Sequence, residues 1–195
     1  MTAAQIIKPD PWRALAWLSQ TDARDAIRMY ARAGLHPIAI HGVSEDGSCT
    51  CGRADCGKSS GKHPVEASWQ SKPFDLGALD ALLLENWRFN VGLRMGPQPG
   101  GFRLVTVDVD GDRTLLTPLE EKLGPLPPTL TATSGNGLHM IYRLRDDAAT
   151  PRNRVKLSAG IDIRSEGGQI VAAPSVHASG RRYRWIDARE PAVLP

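Results

Sequence analysis

Residues 104–110, with the sequence LVTVDVD, carry the strongest strand pattern in the chain. Side chains alternate between the two faces of a strand, so Asp108 and Asp110 share one face while three valines occupy the other. Two carboxylates on one half-buried face repel each other and are costly to desolvate. A divalent cation such as Mg²⁺ or Mn²⁺ would neutralise them, because these ions prefer oxygen ligands. The alternative is a pair of strand-end carboxylates in solvent.

A third carboxylate and a histidine lie in later strand segments. Asp162, in the segment GIDIRSEGG, stands between two isoleucines and shares its strand face with Arg164. This arrangement predicts either an Asp–Arg pair within the strand or a third ligand for the same metal, with Arg164 facing a phosphate. His139 follows the turn SGNG at residues 134–137, whose backbone N–H groups suit a phosphate. By itself, a lone histidine on a strand is more often an ordinary polar residue with a hydrogen-bond partner.

The periodicity of the rest of the chain predicts an α+β fold. One helix is expected from Thr21 or Asp22 to Gly34, and a second is expected to begin at Asp75. The buried side of the second helix is predicted to consist of Leu76, Leu79, Leu83 and Trp87. Short strands separated by Gly-rich turns dominate the second half. This order favours a central mixed or antiparallel sheet flanked by helices over a doubly wound parallel sheet.

All three cysteines of the chain lie within eight positions, inside a stretch at residues 42–73 that has no periodicity. A loop of that length needs a special reason in a compact domain. Cys49, Cys51, Cys56 and His63 supply three thiolates and one imidazole, which make a complete tetrahedral shell for a structural zinc. The alternative is a set of free thiols beside an unrelated histidine.

Composition excludes several classes of protein. The chain has 195 residues, and its 41% hydrophobic and 23% charged residues are ordinary for a globular protein, which argues against a wholly disordered chain. No segment reaches the roughly 20 apolar residues of a membrane span, and the N-terminus has no signal-peptide layout. A cytoplasmic protein is therefore expected. Residues 143–189 hold ten Arg or Lys and five Asp or Glu, a basic excess that suits either a polyanion or a solvated face.

Taken in order, the segments AIRMYARAGLHPIAI, GKHP, NVGLRMG, LVTVDVDG, TATSGNGLHMIYRL and GIDIRSEGGQIVAAPSVHASGRRYRW resemble the bifunctional DNA primase/polymerase (prim-pol) N-terminal domain of the archaeo-eukaryotic primase superfamily. The resemblance covers residues 22–187, and the cysteine-containing insertion resembles a zinc-binding element of bacterial and phage members. It implies a prim-pol catalytic domain over residues 21–190, with the zinc-binding insertion at about 42–73. An N-terminal arm at 1–20 and the start of a linker at 191–195 would flank this domain.

The resemblance also implies roles for individual residues. Asp108, Asp110 and Asp162 would bind the catalytic Mg²⁺ or Mn²⁺ ions, and His139 would contact the phosphates of the incoming nucleotide. The nucleotide would further be bound by Ser134, Gly135, Arg164, Ser175 and His177. Ala173 departs from the family pattern, which often has two prolines before the serine at 175.

The implied activity is template-dependent nucleotidyl transfer, both primer synthesis and DNA polymerisation, on a single-stranded DNA template with dNTP or NTP. DNA contacts are expected from Lys62, Arg152, Arg154, Lys156, Arg181, Arg182 and Arg184. A helicase region is expected to follow in a longer replication protein of bacterial, phage or plasmid origin. Two alternatives remain at this stage: a metal-dependent nicking nuclease, and a non-catalytic zinc-containing module that binds DNA.

Overall fold

The computed structural model describes residues 10–53, 55–85 and 88–195 of the chain. The helices are α1 (Pro11–Ala14), α2 (Ala23–Arg32), α3 (Leu76–Glu85) and α4 (Thr117–Leu123), with short 3-10 turns at Leu15–Gln20, Gly57–Ser59 and Arg113–Leu116. The strands are β1 (Pro37–Ile40), β2 (Asn90–Arg94), β3 (Gly96–Pro97), β4 (Arg103–Val109), β5 (Leu130–Thr133), β6 (Leu138–Leu144), β7 (Arg154–Ser158), β8 (Ile161–Arg164), β9 (Gln169–Ala172) and β10 (Arg184–Asp187).

The strands form two sheets in which every pairing is antiparallel. The smaller sheet has the order β1-β2-β9. The larger sheet has the order β10-β5-β6-β4-β8-β7, and β3 pairs with one end of β4. Strand β4, which contains the LVTVDVD sequence, therefore lies inside the larger sheet between β6 and β8. The α+β class with a largely antiparallel sheet and flanking helices is confirmed.

The two faces of β4 contact different hydrophobic clusters. Val105, Val107 and Val109 pack in a cluster with Leu116 and its neighbours, on the side of the sheet that the 113–123 segment covers. Leu104, on the opposite face, belongs to the main core, which also contains side chains from the smaller sheet and from α2 and α3. Because Asp108 alternates with the valines, it faces the side on which the smaller sheet lies.

Helix boundaries follow from capping residues that are visible in the sequence. Asp22 accepts a hydrogen bond from the Asp25 backbone N–H at the start of α2, and Asp75 accepts one from the Ala78 N–H at the start of α3. These are N-cap contacts that satisfy otherwise unpaired donors of the first turn. Trp87, expected on the buried side of the second helix, lies outside the described residues.

Residues 10–20 of the expected N-terminal arm include the short helix α1. Pro11 stands in the first turn of α1, where proline is favoured, and Asp10 caps the helix by accepting from the Trp12 N–H. Trp12, Leu15 and Leu18 are buried in the main core, so this segment is part of the folded domain. Residues 1–9 of the expected arm lie outside the described residues.

The 42–73 segment follows β1 and then turns back to pair with the C-terminal end of β1. The His41 N–H donates to the His63 carbonyl at 3.0 Å, and Ile40 forms an isolated bridge with Pro64. Among the side chains of this segment that the structure describes, only the partly buried Val65 and Trp69 pack against the main core. Among the described residues, no helix combines the length and apolar character that crossing a bilayer requires.

Tyr30 carries a buried hydrogen-bond relay whose loss we expect to destabilise the protein. Its hydroxyl donates to the Ala173 carbonyl at 2.5 Å and accepts from Trp185 Nε1 at 3.0 Å. Tyr30→Phe leaves both buried partners unsatisfied, and we expect the free energy of unfolding to fall by about 1–3 kcal/mol. Denaturant titration measures this loss. The control is Tyr142→Phe, which removes a single, partly buried bond to the Pro127 carbonyl. An equal or smaller loss for Tyr30→Phe would contradict the prediction.

Candidate active site

Three side chains predicted as site residues lie side by side across three neighbouring strands. Asp108 on β4 is paired with His139 on β6 and with Asp162 on β8. Residues directly opposite each other in antiparallel strands project from the same face of the sheet. His139 Nε2 lies 3.4 Å from Asp108 Oδ1. The fold therefore brings together an imidazole and two carboxylates that are far apart in the sequence.

Arg164 lies between the two carboxylates. Its Nη2 is 2.7 Å from Asp162 Oδ2, and its Nε and Nη2 are each 3.4 Å from Asp108 Oδ2. The side chains of Asp108 and Asp162 are only 14% and 11% exposed, so their mutual repulsion is weakly screened by solvent. The guanidinium offsets this repulsion. The two buried carboxylates thus need a positive charge between them, which Arg164 supplies here. Their oxygens are also the ligands that Mg²⁺ and Mn²⁺ prefer.

The backbone holds Asp162 from the neighbouring strand. The register of the β7–β8 pair shifts between Arg154 and Ser158, and Lys156 within this irregularity has a φ of 57°. The Lys156 N–H donates to Asp162 Oδ1 at 2.6 Å. One oxygen of Asp162 is therefore bound by backbone and the other by Arg164. This contact could not be predicted from the sequence, because it depends on the register shift and on the backbone conformation at Lys156.

Asp110 follows the end of β4 and differs from the other two acids. It is exposed, and its backbone N–H donates to the Gly160 carbonyl at 2.8 Å. Within the described part of the chain, no hydrogen bond or ion pair joins its carboxylate to Asp108 or Asp162. Asp108, Asp110 and Asp162 are also not among the groups of His, Cys, Asp or Glu side chains in the described residues whose ligand atoms lie close enough together to hold a metal ion.

His139 is buried next to Asp108. Desolvation by burial lowers its pKa, and this effect outweighs the nearby Asp108 carboxylate, which acts in the opposite direction. The imidazole is therefore neutral near pH 7. Its ring centroid lies 6.0 Å from that of Tyr183, which in turn lies 6.3 Å from the ring of His177. Tyr183 is buried, but it was missed in the sequence, where it stands among arginines in RRYRW. An aromatic residue between charged neighbours is the signal that could have found it.

The SGNG turn and the segment around His177 pack against each other. A Cβ at Gly135 would lie 2.4 Å from His177 Cδ2, so only glycine permits this approach. Arg181 Nη1 donates to the Gly135 carbonyl at 3.1 Å, which ties the two segments together. Ser134 Oγ accepts from the Gly137 N–H at 3.0 Å and so closes the turn.

The side chain of Ser175 makes two hydrogen bonds to β2. Its hydroxyl is buried, accepts from the Val91 N–H at 2.9 Å and donates to the Val91 carbonyl at 3.0 Å. Its one hydrogen is thus already used in the contact to β2, and the side chain anchors the 174–182 segment. The contact of Ser175 with a nucleotide stays a prediction.

The basic residues expected to contact DNA fall into separate groups. Arg184 begins the edge strand β10, and with Arg181, Arg182 and Arg113 it lines a cleft of about 850 Å³ beside the SGNG turn. Arg152, Arg154 and Lys156 lie on or next to β7, at the opposite edge of the larger sheet. Lys62 lies in neither group, because it belongs to the segment that returns from the cysteine loop.

The cysteines and His63 form the compact metal-ligand cluster. Cys49 Sγ lies 3.2 Å from His63 Nε2, Cys51 Sγ lies 3.2 Å from Cys56 Sγ, and Cys56 Sγ lies 3.6 Å from His63 Nε2. All four ligand atoms are within 4.8 Å of one another, and the thiols are free. Three thiolates and an imidazole fit a closed tetrahedral shell, which suits a structural zinc and leaves no position for a substrate.

Comparison with known proteins agrees with this arrangement. Residues 26–195 match the family described as bifunctional DNA primase/polymerase, N-terminal. A search of curated proteins found no match to the chain. The family match spans the smaller sheet, the cysteine cluster and the whole of the larger sheet with its carboxylate–histidine row. The chain therefore belongs to the bifunctional DNA primase/polymerase N-terminal family.

Proposed function

We propose that this chain catalyses template-dependent nucleotidyl transfer, in which it synthesises primers and extends DNA. The observation that carries the proposal is the row of Asp162, Asp108 and His139 across three paired strands, with Arg164 between the acids. A nucleotidyltransferase needs carboxylates for divalent cations beside cationic and imidazole groups for a triphosphate. Family membership supports this reaction class.

Each residue of the row has a role in the proposal. Asp108, Asp110 and Asp162 would hold Mg²⁺ or Mn²⁺, which in two-metal sites stabilises the attacking and leaving oxygens of an in-line displacement. Arg164 would bind phosphate oxygens through charge-assisted hydrogen bonds once the acids are neutralised. His139, neutral and fixed beside Asp108, would donate to the triphosphate. His177 and the backbone at Ser134 and Gly135 would border the same nucleotide.

The template would be single-stranded DNA, read by base pairing with the incoming dNTP or NTP. We further propose that residues 21–190 form the catalytic domain, with the insertion at about 42–73, and that a helicase region accompanies this domain in a bacterial, phage or plasmid replication protein. Because template sequence is read by pairing, the protein needs mainly contacts to the phosphate backbone.

The arginine cleft is the proposed DNA-binding surface, and its test is the salt dependence of binding. Each phosphate contact to a single strand contributes about 0.7 to the slope of log K against log salt concentration. For the double variant Arg182→Ala and Arg184→Ala we expect weaker binding of single-stranded DNA and a slope smaller by about 1.4. Fluorescence anisotropy at several salt concentrations measures both. Arg145→Ala, which removes an exposed partner of Asp147, is the control. An unchanged slope in the double variant would show that these arginines of the cleft do not bind DNA phosphates.

The test of the function itself is incubation with homopolymeric single-stranded templates and each labelled nucleotide, in Mg²⁺ and in Mn²⁺. We expect incorporation of the nucleotide complementary to the template. Template cleavage without nucleotides would instead establish a nicking nuclease. Binding of DNA with neither reaction would establish a non-catalytic module.

A further inference from the structure

The pairing of β7 with β8 is irregular at the position of Asp162. Residues 155–157, called here the β7 bulge, lie opposite this single residue of β8. Within the bulge, Lys156 has a φ of 57°, a left-handed conformation that is uncommon for residues other than glycine. This conformation places the Lys156 N–H 2.6 Å from Asp162 Oδ1. The backbone of an edge strand thus holds one carboxylate of the row.

Side-chain packing contributes little to holding the β7 bulge in place. Val155 is 61% exposed and Lys156 is exposed, while Leu157 is only partly buried against the cluster of valines. Strand β7 is also the last strand of the larger sheet, so its backbone pairs with β8 alone. An uncommon backbone conformation persists only where the surrounding contacts enforce it. The bulge therefore needs contacts at its two ends.

Asn153, immediately before β7, closes one end of the β7–β8 pair. Its Oδ1 accepts from the Ser165 N–H at 2.7 Å, and its Nδ2 donates to the Glu166 carbonyl at 2.7 Å. Both partners lie just beyond the end of β8, so the side chain continues the pairing where the strand stops. A Cβ at Gly168 would lie 2.3 Å from Asn153 Oδ1, so glycine leaves the room that this side chain occupies. The turn at Gly160, with a φ of 71°, closes the other end.

We propose that Asn153 is a positioning residue for the metal-binding carboxylate of Asp162 and acts through the β7 bulge. This inference rests on the function proposed above. Asn153 holds the bulge against β8, and the bulge holds the Lys156 N–H on Asp162 Oδ1. Asp162 Oδ2, which Arg164 binds at 2.7 Å, is then the oxygen available to a divalent cation. A carboxylate that is already fixed in one orientation loses less freedom when it binds a metal.

The backbone N–H of Lys156 is its contribution to the site in this proposal. The DNA contact expected from the sequence involves its side chain instead. A substitution that removes the ammonium and keeps the N–H separates the two roles. Glycine does so, and it adopts a positive φ without steric cost.

The first experiment observes the Lys156 amide by NMR and does not depend on turnover. A short hydrogen bond to a carboxylate moves the amide proton downfield and slows its exchange with solvent. For Asn153→Ala we expect this proton to shift upfield and to exchange at least about tenfold faster. Thr150→Ala is the matched control, because it removes a hydrogen bond from Arg103 in the same loop and leaves the bulge untouched. A Lys156 amide that is unchanged in Asn153→Ala would overturn the role of Asn153.

The second experiment measures Mn²⁺ binding by the electron paramagnetic resonance signal of the free ion. For Asn153→Ala we expect binding about threefold to tenfold weaker, as the loss of one hydrogen bond predicts. Thr150→Ala and Lys156→Gly should bind Mn²⁺ as the wild-type chain does. A loss in Lys156→Gly as large as that in Asn153→Ala would assign the effect to the ammonium and overturn the proposal.

A double-variant cycle tests whether the effect of Asn153 passes through Asp162. Asp162→Asn removes the charge that the bulge positions. In that background, Asn153→Ala should cause no further loss of Mn²⁺ affinity, because both changes act on the same ligand. Losses that multiply would show that Asn153 acts elsewhere and would overturn the proposal.

The positioning role and the proposed function fail differently. If the wild-type chain incorporates nucleotide while Asn153→Ala leaves the Lys156 amide and the Mn²⁺ affinity unchanged, only the role of Asn153 is lost. If Asn153→Ala has the expected effects but the wild-type chain incorporates no nucleotide on any template, the proposed function is lost and the positioning of Asp162 stands.

Discussion

Asp108→Asn is expected to reduce nucleotide incorporation by at least about 10³-fold while the protein remains folded. Asp108 is the middle member of the row, and both His139 and Arg164 contact its carboxylate. The asparagine amide keeps the shape of the side chain but offers a metal one neutral oxygen in place of the two charged carboxylate oxygens. Arg164 retains its shorter contact to Asp162, so the strand packing persists. We expect the melting midpoint to shift by less than about 4 °C, which corresponds to roughly 1 kcal/mol.

The assay for this prediction is primer extension on a single-stranded template, together with thermal unfolding of the same preparation. Asp162→Asn should reproduce the loss. Asp112→Asn is the control: that carboxylate is exposed and caps the 113–116 turn by accepting from the Thr114 N–H at 2.8 Å. Incorporation by Asp108→Asn at a rate close to that of Asp112→Asn would contradict the assignment of Asp108.

Removal of the metal from the cysteine cluster is expected to have the largest effect on stability. The loop at 42–65 contributes few side chains to the main core, so little apolar burial holds it in place without a metal. A structural zinc stabilises only the folded loop, so we expect its loss to unfold the loop locally. The effect should be confined to this loop and to the segments that it contacts.

Hydrogen–deuterium exchange with and without a chelator measures this local unfolding, and elemental analysis measures the metal. We expect one zinc per chain, rapid exchange over residues 42–65 after chelation, and protection restored by added zinc. Cys56→Ser should resemble the chelated protein, and Lys58→Ala should resemble the untreated one. Purified protein that contains no zinc, with Cys56 open to thiol reagents, would contradict the prediction.

The sequence was sufficient for the local structure around β4 but not for the identity of its neighbours. Alternation in LVTVDVD predicts a strand with Asp108 opposite the valines, because the period of a strand is two residues. Which strands pair with β4 depends on tertiary packing, and so the direct opposition of Asp108 with His139 and Asp162 is visible only in the structure. The cysteine cluster was easier to predict from the sequence, since its four ligands lie close together there.

Two other segments make contacts that their sequence does not reveal. Pro9 and Pro11 suggested an arm, although proline in the first turn also favours a helix, as at Pro11 in α1. Ser175 lies in a segment that resembles a nucleotide-binding motif, but the demand of β2 for a buried hydrogen-bond partner at Val91 takes its hydroxyl. Motif position alone does not reveal whether a side chain faces a cleft or a neighbouring strand.

We propose that Asp108 and Asp162 share divalent cations beside a nucleotide. A crystal structure of the chain with Mn²⁺ and a non-hydrolysable dNTP, with anomalous scattering to locate the manganese, tests this directly. We expect manganese bound by the carboxylates of Asp108 and Asp162, with Arg164 moved onto the phosphates. Manganese found elsewhere, with Arg164 still bridging the two carboxylates, would contradict it.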